Sequence, residues 1–240
     1  MSPSTDPYVA AARAYDLFYK EKDYRAEAGA VVALAEQYAP GARSLLDVAC
    51  GTGLHLTHLA SHYPQVAGVD VSEPMLVEAR AAAPDIPFHQ GDMRTFDLDE
   101  QFDVVTCLFS AIGYMVDEAG LRDAVANMAR HVAPGGVLLV EGWIDPDEWV
   151  VGRASAHSNV DATAAVARVM LSGRDSDVST IEMHYLIATL DGVEHVVEHH
   201  RLGLFTAQQY RDAVEAVGLR YAREEGLTGR GLHVGVKRRT

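Results

Sequence analysis

Two glycines follow the first long apolar segment of the chain, in the stretch LLDVACGTG (residues 45–53). Glycine at the end of a buried strand lets a ligand approach the backbone more closely than a side chain would allow. After Gly53 the third glycine of a dinucleotide-binding loop is missing, and no Lys-Ser or Lys-Thr pair follows as in a P-loop. The loop therefore predicts a ligand that contacts the backbone without needing phosphate groups.

Carboxylates end the next two predicted strands. Asp70 is placed to accept hydrogen bonds from both hydroxyls of a ribose. Asp92 is placed to accept an amino hydrogen of an adenine, with Met93 against the ring. Ligands of open parallel sheets bind at this carboxyl edge, so these residues favour a nucleoside without phosphates. S-adenosylmethionine meets that description, and its sulfonium charge suits nearby carboxylates and tyrosine rings.

Alternating strand and helix patterns must position these residues. Five apolar runs predict parallel strands at Ser44–Cys50, Gln65–Ser72, Ile86–Met93, Phe102–Ser110 and Gly136–Trp143. Helical patterns lie between the strands, which predicts an α/β fold with a doubly wound, Rossmann-like sheet.

The pattern changes after Trp143. We expect residues 144–160 to be irregular, and the alternating segments that follow to pair through turns at Ser172-Gly173 and Asp191-Gly192. Strands joined by such short turns form antiparallel hairpins. This predicts a small antiparallel β cap inserted after the fifth strand.

The expected division of the chain follows from that change of pattern. The core comprises residues 1–143 and 201–240, and the cap comprises residues 144–200. A capped helix at Thr206–Gly218 and a last strand return the chain to the core. An apolar face on the hairpin-rich cap would let two copies pair, which predicts a homodimer.

Composition excludes several classes of function. A formal charge of −14 argues against nucleic-acid binding, which relies on clustered Lys and Arg. Cys50 and Cys107 lack a CxxC partner and no HExxH motif occurs, so neither a metal site nor a disulfide is expected. No apolar run approaches about 18 residues and no secretory pattern begins the chain. We expect a cytoplasmic protein without a membrane partner.

Four motifs, in order, resemble those of class I S-adenosylmethionine-dependent methyltransferases: LLDVACGTG, GVDVS, QGDMR and APGG. The resemblance implies a seven-stranded Rossmann-like sheet, with S-adenosylmethionine as the methyl donor and S-adenosylhomocysteine as the product. A Rossmann-type enzyme that uses another nucleotide is the alternative.

A closer resemblance extends over nearly the whole chain. The segments YDLFY, KDYRAEA, FSAIGYM, IEMHYLIA, LFTAQQYRDAVEAVGL and GRGLHVGV are similar to the N,N-dimethyltransferases of TDP-linked 3-amino-deoxyhexoses, the desosamine and mycaminose precursors of antibiotics. The resemblance implies N,N-dimethylation of the amino group of a TDP-amino sugar. After the fifth strand this chain has EGWIDPDEW where that family reads like EPWWFPE. This departure leaves open an N- or O-methyltransferase of another natural-product acceptor. A non-catalytic cofactor-binding protein is a third hypothesis.

The expected site residues combine these arguments. Cofactor contacts are expected at Tyr15, Tyr24, Ala49, Gly51, Gly53, Asp70, Val71, Met75, Asp92, Met93 and Leu108. The residues expected to orient the attacking amine are Tyr8, Tyr15, Tyr114 and His184. The residues expected to bind the substrate are Ser110, Trp143 and Arg230. A guanidinium between two glycines can clamp a pyrophosphate with paired hydrogen bonds.

The expected chemistry asks little of the protein. The amine attacks the sulfonium methyl in line, so alignment and proximity supply most of the rate. The amine must be neutral when it attacks, and solvent or a nearby hydroxyl can take its proton.

Overall fold

The computed structural model describes residues 12–225 and 230–239. Within them, the α-helices are α1 (Ala12–Phe18), α2 (Tyr24–Tyr38), α3 (Leu54–Leu59), α4 (Glu73–Ala82), α5 (Glu118–Arg130) and α6 (Ala207–Ala216). The core strands are β1 (Ser44–Val48), β2 (Gln65–Asp70), β3 (Phe88–Gln90), β4 (Phe102–Cys107), β5 (Val132–Glu141), β10 (Arg220–Glu224) and β11 (Leu232–Val236). The remaining strands are β6 (Ala154–Val160), β7 (Ala165–Asp175), β8 (Val178–Thr189) and β9 (Gly192–Gly203).

The core is a seven-stranded sheet in the order β10-β11-β5-β4-β1-β2-β3. Strands β1 to β5 are parallel, and β11 runs antiparallel between β5 and β10. The expected α/β fold with a doubly wound, seven-stranded sheet is therefore confirmed. The carboxyl ends of β1, β2 and β4 meet at one edge, where the candidate residues lie.

Helices cover both faces of this sheet because successive side chains of a strand point to opposite faces. Leu46 and Val105 pack toward α5 and α6, whereas Leu45 and Val104 pack toward α2, α3 and α4. All four side chains are fully buried. Burying a side chain of this size contributes about 2 kcal/mol, so the two cores hold the sheet edge rigidly.

The second sheet is an antiparallel meander in the order β6-β7-β8-β9. It confirms the antiparallel cap after the fifth strand of the sequence. The expectation of irregular structure throughout residues 144–160 is wrong, because Ala154–Val160 forms the edge strand β6. All residues of this strand except Asn159 are exposed, so the strand does not need the alternation of apolar and polar residues by which a strand is predicted from sequence. The division of the chain into core and cap stays a prediction.

The expected turn at Ser172-Gly173 is also wrong. Both residues lie inside β7, and the chain turns between β7 and β8, where Ser176 has a φ of 54°. A Cβ on Gly173 would lie 2.5 Å from the Thr180 hydroxyl, so this glycine leaves room for the side chain of its cross-strand partner.

Helix α1 connects the two sheets. Phe18 packs with Tyr185 and Val196 of the cap, and Asp16 accepts a hydrogen bond of 2.7 Å from Thr52 in the loop after β1. No helix among residues 12–225 and 230–239 is both long enough and apolar enough to cross a bilayer.

Candidate active site

The loop after β1 turns sharply, with φ values of 60° at Ala49, 56° at Gly51 and 76° at Gly53. The two glycines have different surroundings. A Cβ at Gly51 would meet no atom within 4 Å, whereas one at Gly53 would lie 2.9 Å from the ring of Phe88. Gly53 therefore begins α3 against a packed side chain, and Gly51 leaves its backbone open to the space beyond the strand.

Asp70 joins this loop to the end of β2. Its carboxylate accepts hydrogen bonds of 2.8 Å from the backbone N–H groups of Gly51 and Ser72. The side chain is buried, at 8% exposure, and lies on the wall of a cavity. Each carboxylate oxygen has two acceptor sites, so the group is suited to bind further donors.

A cavity of about 380 Å³ lies at this edge of the sheet. Tyr15, Ala49, Gly51 and Leu108 line one part of it. Asp70, Val71, Met75, Asp92 and Met93 line the part beside β2 and β3. The structure thus brings most of the expected cofactor residues around one space, and the rest of its wall is formed by Gly91, Phe109, Ala111, Tyr114 and Met115.

Asp92 has a partner that the sequence reasoning did not assign. Nε of Arg94 donates to one Asp92 oxygen at 2.9 Å, and the guanidinium also reaches the other oxygen. The hydrogen bonds from Arg94 lower the pKa of Asp92. The carboxylate is therefore held ionised and fixed at the cavity wall.

Some expected residues lie elsewhere. Tyr24 lines a small recess beside Tyr15, with its ring 4.8 Å from that of His55. His184 lies on the outward face of β8, where it contacts Glu182 and His195. The expectation that His184 orients the amine is not supported, since Tyr185 occupies the inward face and strand side chains alternate. Tyr8 lies outside the described residues.

The segment after β4 is strained. Phe109 and Ser110 have φ values of 54° and 60°, a conformation that costs non-glycine residues of order 1–3 kcal/mol each. Phe109 N–H donates to buried Glu141 at 2.6 Å, and the Ser110 hydroxyl donates to the Gly142 carbonyl at 2.7 Å. These bonds hold the strained segment against the cavity.

Arg230 reaches the same segment from the other end of the chain. Its guanidinium donates to the Ser110 hydroxyl at 3.0 Å and lies 4.9 Å from the ring centre of Trp143. The three expected substrate residues therefore form one cluster. Trp149 packs beside Trp143 with ring centres 5.9 Å apart, so a second tryptophan is present despite the altered sequence.

A buried chain of polar side chains begins at Tyr114. The Tyr114 hydroxyl lies 2.8 Å from Nδ1 of His200, and Nε2 of His200 lies 3.1 Å from a carboxylate oxygen of Glu198. His200 and Glu198 are each 4% exposed. Tyr114 itself lines the cavity, so this chain runs from the cavity into the cap.

Comparison with known proteins agrees with this geometry. The family described as a methyltransferase domain matches residues 45–136. The chain is 43% identical to the dTDP-3-amino-3,6-dideoxy-alpha-D-glucopyranose N,N-dimethyltransferase of Streptomyces fradiae, over 98% of this chain and 93% of that protein. The chain belongs to this family of methyltransferases. The enzyme uses S-adenosylmethionine as its methyl donor, as the motifs predicted.

Two solved structures resemble this methyltransferase closely. DesVI of Streptomyces venezuelae matches with a TM-score of 0.90 and 43% identity, over 94% of this chain and 98% of that chain. CalS10, an amino pentose methyltransferase from Micromonospora echinaspora with bound S-adenosylmethionine, matches with a TM-score of 0.83 and 37% identity, over 99% of each chain.

The described residues of this methyltransferase fit the cofactor. The open backbone at Gly51, the fixed carboxylate of Asp70 and the apolar side chains of Met75 and Leu108 surround a cavity of nucleoside size. Among the residues that the structure describes, no cluster of three or more His, Cys, Asp or Glu side chains could hold a metal ion.

Sequence reasoning missed two features of the methyltransferase site. Asp47 lies buried beneath the loop, accepts a 2.7 Å hydrogen bond from Thr106, and has its pKa raised by burial to about 6. The pair His200 and Glu198 is the second feature, and no sequence motif singles it out among the eleven histidines of the chain. The sequence feature that could have identified the pair is the alternation along β9, where both polar residues occupy inward positions between Val196 and Leu202.

Proposed function

We propose that this methyltransferase transfers two methyl groups to the amino group of a TDP-linked amino-deoxysugar, a precursor of an antibiotic. The observation that carries the proposal is the cluster of Arg230, Ser110 and Trp143 beside the cavity. Ser110 lies between Phe109 and Ala111, which both line the cavity, so a substrate bound at the cluster has its reactive end near the cofactor.

Named residues would hold the cofactor. Asp70 binds the ribose hydroxyls, Asp92 and Met93 contact the adenine, and the backbone at Ala49 and Gly51 binds the methionine part. S-adenosylmethionine supplies an activated methyl group, which forms a bond to the nitrogen lone pair while the sulfur keeps the electrons of the broken bond. Two observations support this arrangement: the positive φ angles of the loop after β1 and the buried carboxylate of Asp70.

Tyrosines would align the acceptor. Tyr15 and Tyr114 both line the cavity, and their rings leave an apolar space with two hydroxyl groups. Burial raises the pKa of Tyr15 well above its usual value, so its hydroxyl stays protonated and binds as a neutral group. Alignment of the amine with the methyl group is the main contribution of these side chains.

Arg230 would bind the pyrophosphate of the substrate. The chain has a formal charge of −14, so an anionic substrate needs a local cation. Arg230 is held by Ser110 and by the face of Trp143, which orders its guanidinium before the substrate binds. An ordered guanidinium forms paired hydrogen bonds with phosphate oxygens.

Substitution of Arg230 tests the proposal. We expect Arg230→Ala to raise KM for a TDP-amino sugar at least tenfold, with Arg230→Lys intermediate, because a lysine cannot form the paired bonds. Affinity for S-adenosylmethionine, measured by calorimetry, should stay within twofold. Arg220→Ala, which removes an exposed arginine of β10, is the matched control.

The outcome separates two acceptors. If Arg230→Ala leaves KM unchanged, or if a panel of TDP-amino sugars is not methylated while another natural-product amine or hydroxyl is, the alternative acceptor is supported. The acids of the EGWIDPDEW segment, including partly buried Asp145, favour testing that alternative with cationic acceptors.

We also propose a cytoplasmic homodimer with separate core and cap domains. Cys50 and Cys107 are both free and buried, which fits a reducing compartment. The outward face of the cap sheet carries exposed apolar side chains, including Val169, Leu186 and Val193, which supports pairing with a second copy.

A further inference from the structure

We propose that Tyr114, His200 and Glu198 form a proton relay that takes one proton from the acceptor amine at each methyl transfer. The inference rests on the proposed amine acceptor. Tyr114 would touch the substrate and act as the catalytic residue of the relay, whereas His200 and Glu198 act through it as positioning residues. The evidence is the buried chain from the cavity to Glu198, with links of 2.8 Å and 3.1 Å.

The chemistry of the three groups sets the direction of the hydrogen bonds. An ionised carboxylate only accepts, so Nε2 of His200 carries the proton that is donated to Glu198. In the neutral ring Nδ1 is then the acceptor, and the Tyr114 hydroxyl donates to it. The Tyr114 oxygen therefore presents its lone pairs to other donors, and an amine N–H in the cavity is such a donor.

Burying His200 and Glu198 costs folding free energy that a purely structural role would not require. His200 and Glu198 are each 4% exposed, and Oε1 of Glu198 has no hydrogen-bond partner among the residues that the structure describes. A buried carboxylate with an unsatisfied oxygen destabilises a fold, and apolar residues of similar volume are often as stable or more so. Such costs concentrate at functional sites, and this pair ends at the cavity.

The surrounding backbone fixes the first member of the relay. Tyr114 ends a one-turn 3-10 helix, Ala111–Tyr114, that begins at strained Ser110. A Cβ on Gly113 would lie 3.0 Å from Leu202 of β9, so the turn packs directly on the strand that carries His200 and Glu198. The Tyr114 hydroxyl and the His200 imidazole are therefore held together by backbone packing as well as by their hydrogen bond.

The proton transfers balance. At each methyl transfer one N–H bond of the amine is replaced by an N–C bond, and one proton is released. The amine N–H bond breaks as an O–H bond forms on Tyr114, while the former Tyr114 O–H proton moves to Nδ1 of His200. The ring becomes positively charged beside Glu198, and the proton returns through Tyr114 to water after the product leaves.

Two successive transfers to one nitrogen make such a relay useful. After the first transfer the nitrogen is a secondary amine that must again be neutral before it attacks. The cavity is lined largely by apolar side chains, and the lone pair of an imidazole nitrogen can accept a proton. The relay would remove each proton without water reaching the reacting nitrogen.

The first test measures the hydrogen bonds without cofactor or substrate. Nitrogen NMR of histidine-labelled protein should find the His200 ring protonated at Nε2, with a hydrogen bond accepted at Nδ1. Tyr114→Phe should remove the Nδ1 signature alone. A ring protonated at Nδ1, or a ring insensitive to Tyr114→Phe, would contradict the relay.

The second test uses Glu198→Gln, which keeps the shape but removes the charge that stabilises the protonated ring. We expect kcat to fall at least tenfold, KM and the affinity for S-adenosylmethionine to stay within twofold, and monomethylated product to accumulate. The melting temperature should not fall, since a buried charge is lost. Glu182→Gln makes the same change at the exposed His184 pair and should leave kcat unchanged.

The two tests separate the relay from the proposed function. If the wild type methylates another acceptor instead, the amino-sugar proposal fails, while the NMR measurement still decides whether the hydrogen-bonded chain exists. If the wild type dimethylates an amino sugar and Glu198→Gln keeps its kcat, the relay is wrong and the proposed function stands.

Discussion

At the scale of single residues, one carboxylate organises the cofactor side of the site. Asp70 accepts from the N–H groups of Gly51 and Ser72, so it fixes both the glycine loop and the start of α4. The loop after β1 can therefore keep its left-handed backbone at Ala49, where a side chain is present. The same group binds the protein and, as proposed, the ribose.

Asp47 gives a prediction about pH. Burial raises its pKa from 3.8 to about 6, so the folded state binds its proton more tightly than the unfolded state. The stability that Asp47 contributes is fully present below pH 3.8 and is lost as the pH rises through 6. Asp47→Asn keeps an acceptor for Thr106 but cannot ionise. The free energy of unfolding of Asp47→Asn, taken relative to that of the wild type, should rise by on the order of 3 kcal/mol between pH 4 and pH 7.

Urea unfolding of wild type and Asp47→Asn at the two pH values measures this difference. The surface substitution Asp99→Asn is the control and should show the same difference from wild type at both pH values. A stability difference for Asp47→Asn that does not change with pH would show that Asp47 is not held in a costly buried state.

At the scale of elements, α1 connects the cofactor cavity to the cap. This helix has seven residues, too few to be stable in isolation, so its position depends on packing. Tyr15 faces the cavity, Asp16 bonds to Thr52, and Phe18 packs among Tyr185 and Val196. One short helix therefore depends on both sheets.

Phe18→Ala tests this dependence. Removing the ring leaves a void in a small cluster, which costs about 3–5 kcal/mol when the surroundings do not collapse. We expect α1 to detach locally, faster amide exchange in residues 12–18, and a dissociation constant for S-adenosylhomocysteine at least fivefold higher, although Phe18 does not line the cavity. Phe18→Leu should retain most of the affinity. Unchanged exchange and affinity for Phe18→Ala would contradict the dependence.

At the scale of the whole molecule, the cap sheet has two different faces. Its inward face carries Tyr185, Val196 and His200, which pack on α1 and Tyr114. Its outward face exposes Val169 and Leu186, at 56% and 52% of their surface. Two copies of the chain that pair symmetrically through this outward face would bury these exposed apolar side chains.

Leu186→Lys tests the homodimer. Placing a charge among the exposed apolar side chains of the outward face should convert a dimer into a monomer, because two like charges would be buried at a symmetric interface. Size-exclusion chromatography with light scattering measures the mass. Leu190→Lys, at the 98% exposed tip between β8 and β9, should leave the mass unchanged. A wild-type protein that is monomeric at micromolar concentration would contradict the proposed homodimer.

The sequence alone determined the features that depend on local pattern and on the rules of parallel sheets. The glycine loop follows one predicted strand, and Asp70 and Asp92 lie at the carboxyl ends of two others. Parallel strands end at one edge, so the meeting of these residues at one cavity was predictable. The motifs also predicted the methyltransferase family, which the comparisons confirm.

Only the tertiary structure decided contacts between distant segments. Arg230 meets Ser110 across 120 residues, and Tyr114 meets His200 across 86. His184 and His200 lie on neighbouring strands of one sheet, yet His184 faces outward and His200 inward. The physical reason is that strand pairing sets the register, and a shift of one residue moves a side chain to the opposite face of the sheet.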